Sequence, residues 1–221
     1  MKITRDILKR TEKRFLLHGK KKQADVYLVR VENVPVVVKD YSKKSVFARW
    51  YGSYALWRER RNYEFLQQFD FVPRLICKID RYAFAMEYVD GPTVAELEGQ
   101  PEFCFLPGKL ENVVLELHRH RFFHLDLRKR GNVMSRDGQV ILIDFASSVR
   151  FSRWNPWYWL MRPVFRYVDI SAVIKWRSFI CPGSLSEKDK RFLRRFEWVR
   201  MLWFLNKPRL PKWPGEKEDG D

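Results

Sequence analysis

The sequence predicts an α+β fold in which strands gathered around one helix come first and helices follow. Three observations carry that expectation. Two strand-like runs, ADVYLVRVENVPVVVKDY and RLICKIDRYAFAMEYVDG, flank a single helical pattern in the first part of the chain. The stripe in LENVVLELHRH then repeats at helical spacing. Finally, SLSEKDKRFLRRFEWVRMLWFL opens on a capping signal and keeps the same period.

In chain order, the first 22 residues carry nine Lys or Arg against two acids and read as a basic, partly helical entry. From Ala24 the chain alternates and then turns apolar around a Glu-Asn break, which predicts two strands joined by a hairpin, with Lys39 ending the second. Residues 54–69 set Leu56, Asn62, Leu66 and Phe69 at helical spacings, and Pro73 follows just beyond the end. Residues 74–91 read as two more strands that stop at the Asp90-Gly91-Pro92 turn signal. Leu110, Val113, Val114 and Leu117 mark a helix facing a core. Asp137-Gly138 between NVMSR and QVILIDF is a strong hairpin signal. Residues 167–179 look helical, and Ser184 with Glu187 predicts the cap of a last helix carrying Phe192, Phe196, Val199 and Trp203 on one face. The last 14 residues, with three prolines, read as a loose tail.

Composition narrows the function classes. With 221 residues, 46% hydrophobic and 32% charged, the chain can bury one ordinary core or two small lobes and is not globally disordered. A net charge of +16 predicts an anionic partner: phosphate, nucleic acid or an acidic membrane face. Cys77, Cys104 and Cys181 have no metal-ligand spacing and are odd in number, so a disulfide framework is not expected and a reducing cytoplasm fits. No apolar core follows the basic N-terminus, so secretion is not implied, and no run of about 18 apolar residues predicts a spanning helix.

Three polar residues adjoin strongly apolar sequence: Lys39 after VVV, Asp126 after FFHL, and Asp144 after VILI. Singly, each has an ordinary structural explanation, a solvated lysine at a strand end or an aspartate capping a turn. Together, and in this order, they match a chemistry. Phosphoryl transfer from ATP needs a cation on the phosphates, a carboxylate at the attacking hydroxyl and oxygen ligands for Mg²⁺. Lys39, Asp126, and Asn132 with Asp144 supply these. The Asp137-Gly138 hairpin would bring the loop holding Asp126 and Asn132 beside the strand end holding Asp144.

With these residues in place the chain resembles the protein-kinase-like superfamily, in particular its small bacterial atypical members. These are the RIO-type kinases and the lipopolysaccharide core kinases that phosphorylate heptose or Kdo sugars. The resemblance runs over roughly residues 15–180 and rests on VVVKDY, AMEYVDG, LHRHRFFHLDLRKRGNVM and LIDFA. It implies a two-lobed fold: a strand-rich N-terminal lobe over 1–88, a helical catalytic lobe over 89–207, and a flexible tail over 208–221. ATP and Mg²⁺ would bind between the lobes. Lys39 would contact the α- and β-phosphates, Asp126 would orient the acceptor hydroxyl, and Asn132 and Asp144 would hold Mg²⁺. The backbone of Glu87, Tyr88 and Val89 would meet the adenine, and Asp169 resembles the buried aspartate that braces the catalytic loop, though an ordinary helix acid is an equal reading.

The chain departs from the kinase pattern in several places. HGKKKQADVY offers only Gly19 where a glycine-rich loop would cover the phosphates, which leaves ATP affinity open. The helix position expected to hold the lysine's glutamate is Asn62; Glu59, one turn earlier, is favoured as the partner of Lys39 over Glu64, which points nearly opposite. Asp126 and Asn132 are six positions apart, one more than in most protein kinases. Leu125 stands where regulated kinases carry an arginine, so no activation-loop phosphorylation switch is expected. No Ala-Pro-Glu element follows Ala146, which argues against a peptide platform. His118, His120 and His124 do not share a helix face suited to zinc. Arg128, Lys129 and Arg130 read either as groups neutralising an acceptor or as a solvated loop.

Residues 151–179 hold nine aromatics, four of them Trp, with five basic residues against one acid. Core packing is expected for most of that stretch and contact with a membrane interface for Trp154 to Trp159. The leading expectation is therefore an ATP- and Mg²⁺-dependent kinase that phosphorylates an anionic acceptor, a lipopolysaccharide core sugar, at the cytoplasmic membrane face. A RIO-like Ser/Thr protein kinase or ATPase acting on protein or ribonucleoprotein is the alternative, and a pseudokinase that only binds a partner is a third. Nucleic acid ranks behind the sugar and protein acceptors.

Overall fold

A computed structural model describes residues 1–20 and 23–203. The tail expected over 208–221 lies outside the described residues, as do the side chains of Val199 and Trp203. The chain divides into two units, one of residues 1–91 with 141–148 and one of residues 92–140 with 149 onward.

The first unit opens with helix α1 (Arg5–Arg10), whose N-cap Thr4 side chain accepts from the Ile7 N–H. Strand β1 (Arg14–Leu17), within the stretch read from sequence as partly helical, then joins a five-stranded antiparallel sheet with β2 (Asp25–Val31) and β3 (Val34–Asp40). Helix α2 (Val46–Leu66) follows, then β4 (Leu75–Asp80) and β5 (Ala83–Glu87), and the sheet order is β1-β2-β3-β5-β4. The β2–β3 hairpin turns on Glu32 and Asn33, both at positive φ, as a two-residue turn compatible with strand twist requires.

Alternation along these strands separates two faces. Tyr27, Val29, Val31, Val36, Val38, Ala83 and Ala85 form a core with Ile3 and Leu8 of the α1 region. Val37, Lys39, Phe84 and Met86 point the other way, with Lys39 paired to Phe84 and Val37 to Met86 across the β3–β5 ladder. On that second face the α2 residue Tyr63 lies 5.9 Å, ring to ring, from Phe84. Burial of a lysine on β3 thus follows from strand register, and the helix beside it supplies the counter-charge.

Helix α2 begins eight residues before the segment read from sequence, capped by the Ser45 side chain accepting from the Ala48 N–H. Gly52 permits its close approach: a Cβ there would sit 2.3–2.7 Å from carbons of the buried Tyr41 ring. Gly52→Ala is accordingly expected to destabilise the protein by about 2 kcal/mol through overpacking, although alanine is the better helix former. Urea unfolding, with Ser53→Ala on the same helix as reference, would check this; an unchanged midpoint would show that Tyr41 yields freely.

Arg5 ties the strand ends together. Its guanidinium bonds Asp40 at 2.5 Å and Asp80 at 2.6 and 3.0 Å, and Asp40 also accepts from the Tyr27 hydroxyl at 2.9 Å. Burial would raise the pKa of both carboxyls, but the bonds to Arg5 overcome it and hold both below the usual carboxylate range. A depressed folded pKa stabilises above the unfolded value near 3.8, and that stabilisation disappears as pH falls through the folded values. Arg5→Met should therefore lower stability by about 2 kcal/mol at neutral pH. The gap to the parent should close in acid, as denaturant unfolding across a pH series would read out.

In the second unit, helix α3 (Leu106–Arg119) buries Leu106, Leu110, Val114 and Leu117. Strand β6 (Phe122–Phe123) and the loop bearing Asp126 come next, then β7 (Val133–Arg136). The chain turns at Asp137 and Gly138, both at positive φ, into β8 (Gln139–Leu142), which carries it back into the first unit. Strand β9 (Val149–Arg150) pairs with β6. Helix α4 (Trp157–Ile180) packs against α3 and buries Ala172, Val173, Trp176 and Ile180. It starts ten residues before the helix read from sequence and accommodates Pro163 on an exposed side, where the carbonyl left without an N–H donor is not buried.

Helix α5 (Glu187–Trp203) corrects the sequence reading of its cap. Ser186, not Ser184, accepts from the Asp189 N–H at 3.1 Å, and the Ser186 N–H donates back to Asp189 at 3.2 Å. Ser184 instead donates to the Cys181 carbonyl in a short 3₁₀ turn. A second correction concerns the cysteines: Cys104, just before α3, and Cys181, just after α4, form a disulfide with a Cα–Cα distance of 5.2 Å. The odd count simply leaves Cys77 over. Helix packing closes the 77-residue separation, which no local spacing rule reveals.

Candidate active site

The first unit builds a buried charge cluster around Lys39. Its Nζ lies 2.5 Å from Glu59 Oε1 and 3.0 Å from Asp144 Oδ1. Lys39 is 8% exposed and Glu59 3%, so neither charge would persist there unpaired. Burial alone would pull the lysine pKa down, yet the two carboxylates more than offset it and the pKa is raised above the usual lysine value. The ammonium is therefore charged throughout the physiological range.

Asp144 sits at φ 65° and ψ 69°, left-handed backbone that is costly for most residues and less so for aspartate. Helix α2 holds it there. Asp144 N–H donates to the Tyr63 hydroxyl at 3.1 Å, and Asn62 Nδ2 donates to the Phe145 carbonyl at 3.1 Å. Arg58 also donates to the Ala146 carbonyl. Residues 58 and 62, and 59 and 63, are successive pairs one helical turn apart, so one side of α2 grips both Lys39 and the segment 144–146. Burial, ahead of the neighbouring charges, pushes the Tyr63 phenol well above its ordinary pKa, so it stays a neutral hydroxyl. Glu64 forms an exposed pair with Arg60 instead.

At the end of β5, Glu87 turns its carboxylate back to accept from Arg74 N–H at 2.9 Å, and its own N–H donates to the Arg74 carbonyl at 2.8 Å. Tyr88 is half-buried and Val89 buried, so this stretch offers backbone rather than charge. Asp25 accepts from the Gly19 N–H at 3.0 Å while Lys44 bridges Asp25 and the Gly19 carbonyl.

In the second unit the loop with Asp126 hangs on Asp169 of α4. This carboxylate, 1% exposed, accepts from the His124 N–H at 3.0 Å and the Leu125 N–H at 2.8 Å, with His118 Nε2 at 3.0 Å. Of its two sequence readings, the brace is the one the geometry supports. Leu125 itself is left-handed at φ 65°. Trp176 Nε1 adds a bond to the Leu127 carbonyl at 2.8 Å and Lys175 one to the Arg128 carbonyl at 2.6 Å. Asn132 returns to Asp126, donating through Nδ2 to the Asp126 carbonyl at 2.9 Å and to Oδ2 at 3.0 Å. The turn Lys129–Asn132 is closed by a bond from the Asn132 N–H to the Lys129 carbonyl at 3.2 Å.

The basic loop residues are engaged within the fold. Arg128 donates to Ser171 at 3.0 Å and lies over the Phe196 ring, while Arg130 pairs with Glu98 at 3.1 Å. Sequence reasoning singled out Lys39, Glu59, Asp126, Asn132 and Asp144 but missed Tyr63, Arg58 and the contact of Asn62. The four-residue spacing of Glu59 with Tyr63 and Arg58 with Asn62 was the available signal.

No protein-family model and no curated protein matches the chain. Solved structures do. A crystal structure of the Rio2 kinase from Chaetomium thermophilum matches 83% of this chain and 62% of its own at 19% identity, with a TM-score of 0.60. A Rio2 kinase–ADP/Mg²⁺–phosphoaspartate complex from the same organism matches 83% and 60% at 20% identity, with a TM-score of 0.62. The chain thus spans about three fifths of the length of these Rio2 structures. The sheet with its α2 helix, the braced loop and the helical second unit together form a protein-kinase-like fold.

Proposed function

We propose that the chain is an ATP- and Mg²⁺-dependent phosphotransferase that phosphorylates an alcohol on an anionic acceptor. The observation that carries this reading is the buried Lys39, paired at once with Glu59 and with Asp144. Such a cation, charged and immobilised by two carboxylates, suits the phosphates of a nucleotide. The Rio2 complex with ADP and Mg²⁺ supports the same cofactors.

The donor chemistry of Asn132 and of Asp144, each taken by itself, suits Mg²⁺. Asn132 turns its amide nitrogen to Asp126, so its carbonyl oxygen is the atom a cation would meet; the Asp144 carboxylate is a second hard oxygen donor. When bound, the ion would neutralise charge developing on the transferred phosphoryl group. Lys39 would hold the α- and β-phosphates, and the backbone of Glu87 to Val89 the adenine. Asp126, oriented by Asn132, would accept the proton of the acceptor hydroxyl.

For the acceptor, the proposal is a lipopolysaccharide core sugar presented at the inner membrane face, supported by the +16 charge and by the exposed Trp154, Trp157 and Trp159. A RIO-like protein kinase or ATPase is the second reading, favoured by the likeness to Rio2. Labelled γ-phosphate from ATP, incubated with the purified protein and fractionated bacterial envelope or cytosol, separates them. Label is expected in glycolipid, falling by about 10²–10⁴ in Asp126→Ala. Label only on protein would select the RIO-like reading, and no Asp126-dependent label in any fraction would overturn phosphotransfer.

A further inference from the structure

Helix α2 has an inverted amphipathic character over its first four turns. Its inward side is made of Ala48, Gly52, Leu56 and Glu59, all buried. Its outward side carries Phe47 at 87% exposure, Trp50 at 76%, Tyr54 at 58%, Tyr51 at 55% and Trp57 at 46%, with Val46 beside them. Five aromatic rings on one solvent-facing arc exceed the scattered apolar exposure normal for a surface. Stability does not account for them, since the buried side alone packs the helix on the sheet.

Charge around this arc is one-sided. Between Tyr41 and Arg61 the chain has six Lys or Arg and a single acid, Glu59, which is buried against Lys39. Arg61 stands over the Trp57 ring at 5.5 Å. A partner must therefore offer apolar depth and negative charge together. A second copy of the chain offers no surplus of acids, because its net charge is +16. An anionic bilayer surface offers both: its headgroup region accommodates Trp and Tyr rings and its lipids attract arginine. The second unit independently repeats this chemistry, with exposed Trp154, Trp157, Trp159 and Leu160 in a stretch, Val149 to Val168, of four arginines and no acid.

We infer that the outward face of α2, centred on Phe47, Trp50 and Tyr54, docks on a lipid bilayer surface containing anionic lipid. Docking does not depend on the phosphotransfer reading, because no nucleotide is needed to observe it.

The test is sedimentation of the full chain with phosphatidylcholine vesicles, with or without phosphatidylglycerol. Binding is expected only with phosphatidylglycerol present. It should weaken about a hundredfold in Phe47→Ser/Trp50→Ser and persist in Trp50→Phe, each ring lost from the interface being worth of order 1.4 kcal/mol. Both replaced side chains point to solvent, and far-UV circular dichroism would verify the helix. Undiminished binding in the double variant would leave membrane contact to Trp154–Trp159 and overturn the assignment to α2. So would failure of the parent protein to bind phosphatidylglycerol vesicles. A concentration-dependent dimer abolished by the double variant, or single-stranded RNA binding abolished in place of vesicle binding, would equally overturn it.

Discussion

Lys39→Met is expected to destabilise the protein by about 4 kcal/mol, among the larger effects a single substitution can have here. Methionine fills the space but removes the ammonium 2.5 Å from the Glu59 carboxylate, which is 3% exposed. Removing one partner of a buried pair strands the other, and the stranded charge rather than the lost attraction dominates the cost. The deficit should shrink in acid as Glu59 takes up a proton, and the double variant Lys39→Met/Glu59→Met should recover most of it. Chemical denaturation at neutral and acidic pH reads both outcomes. Equal deficits at both pH values, with no recovery in the double variant, would show that packing rather than charge governs the site. Under the proposed activity both variants also lose phosphate transfer, because the nucleotide phosphates lose their cation.

Asp169→Ala is the second large expectation. Its carboxylate accepts two loop N–H groups, at 3.0 and 2.8 Å, from inside the second unit. Without it the His124 and Leu125 amides are left unpaired, at a cost of about 3 kcal/mol. Leu125 at φ 65° then loses a bond that helps hold its left-handed backbone, and Asp126 next to it moves. Under the proposed activity, transfer should fall by about a hundredfold even though Asp169 need not touch a substrate. Urea unfolding and label transfer measure the two effects. A stability loss with transfer unchanged would mean that loop position and chemistry are separable. Asp169→Asn, which keeps one acceptor oxygen, should fall between parent and alanine variant in both.

What could be read before folding depended on whether a residue's meaning was local. Lys39, Asp126 and Asp144 were conspicuous because each interrupts apolar sequence, and alternation along β3 explains why Lys39 faces α2. Glu59 could be favoured over Glu64 because helical geometry alone separates the two faces. Helical spacing put Tyr63 and Asn62 on that face but could not name their partners, the Asp144 N–H and the Phe145 carbonyl, backbone groups that any sequence possesses. The first turns of α2 were hidden because their apolar residues face outward, the reverse of the pattern that marks a core helix. Pro163 likewise obscured the first half of α4, and the Cys104–Cys181 bridge depends on two helix ends meeting across 77 residues.

Several α2 side chains, Glu59 through Lys39, Tyr63, Asn62 and Arg58, reach the short segment from Asp144 to Ala146. Displacing the segment means giving up four attachments at once, each worth about 1 kcal/mol, so roughly one molecule in a thousand would have it detached at any instant. Helix and segment therefore travel as a single piece, and the poised arrangement is the resting state instead of something a signal must assemble. Under the proposed activity, such a chain would be throttled by how much of it is made and by what reaches it.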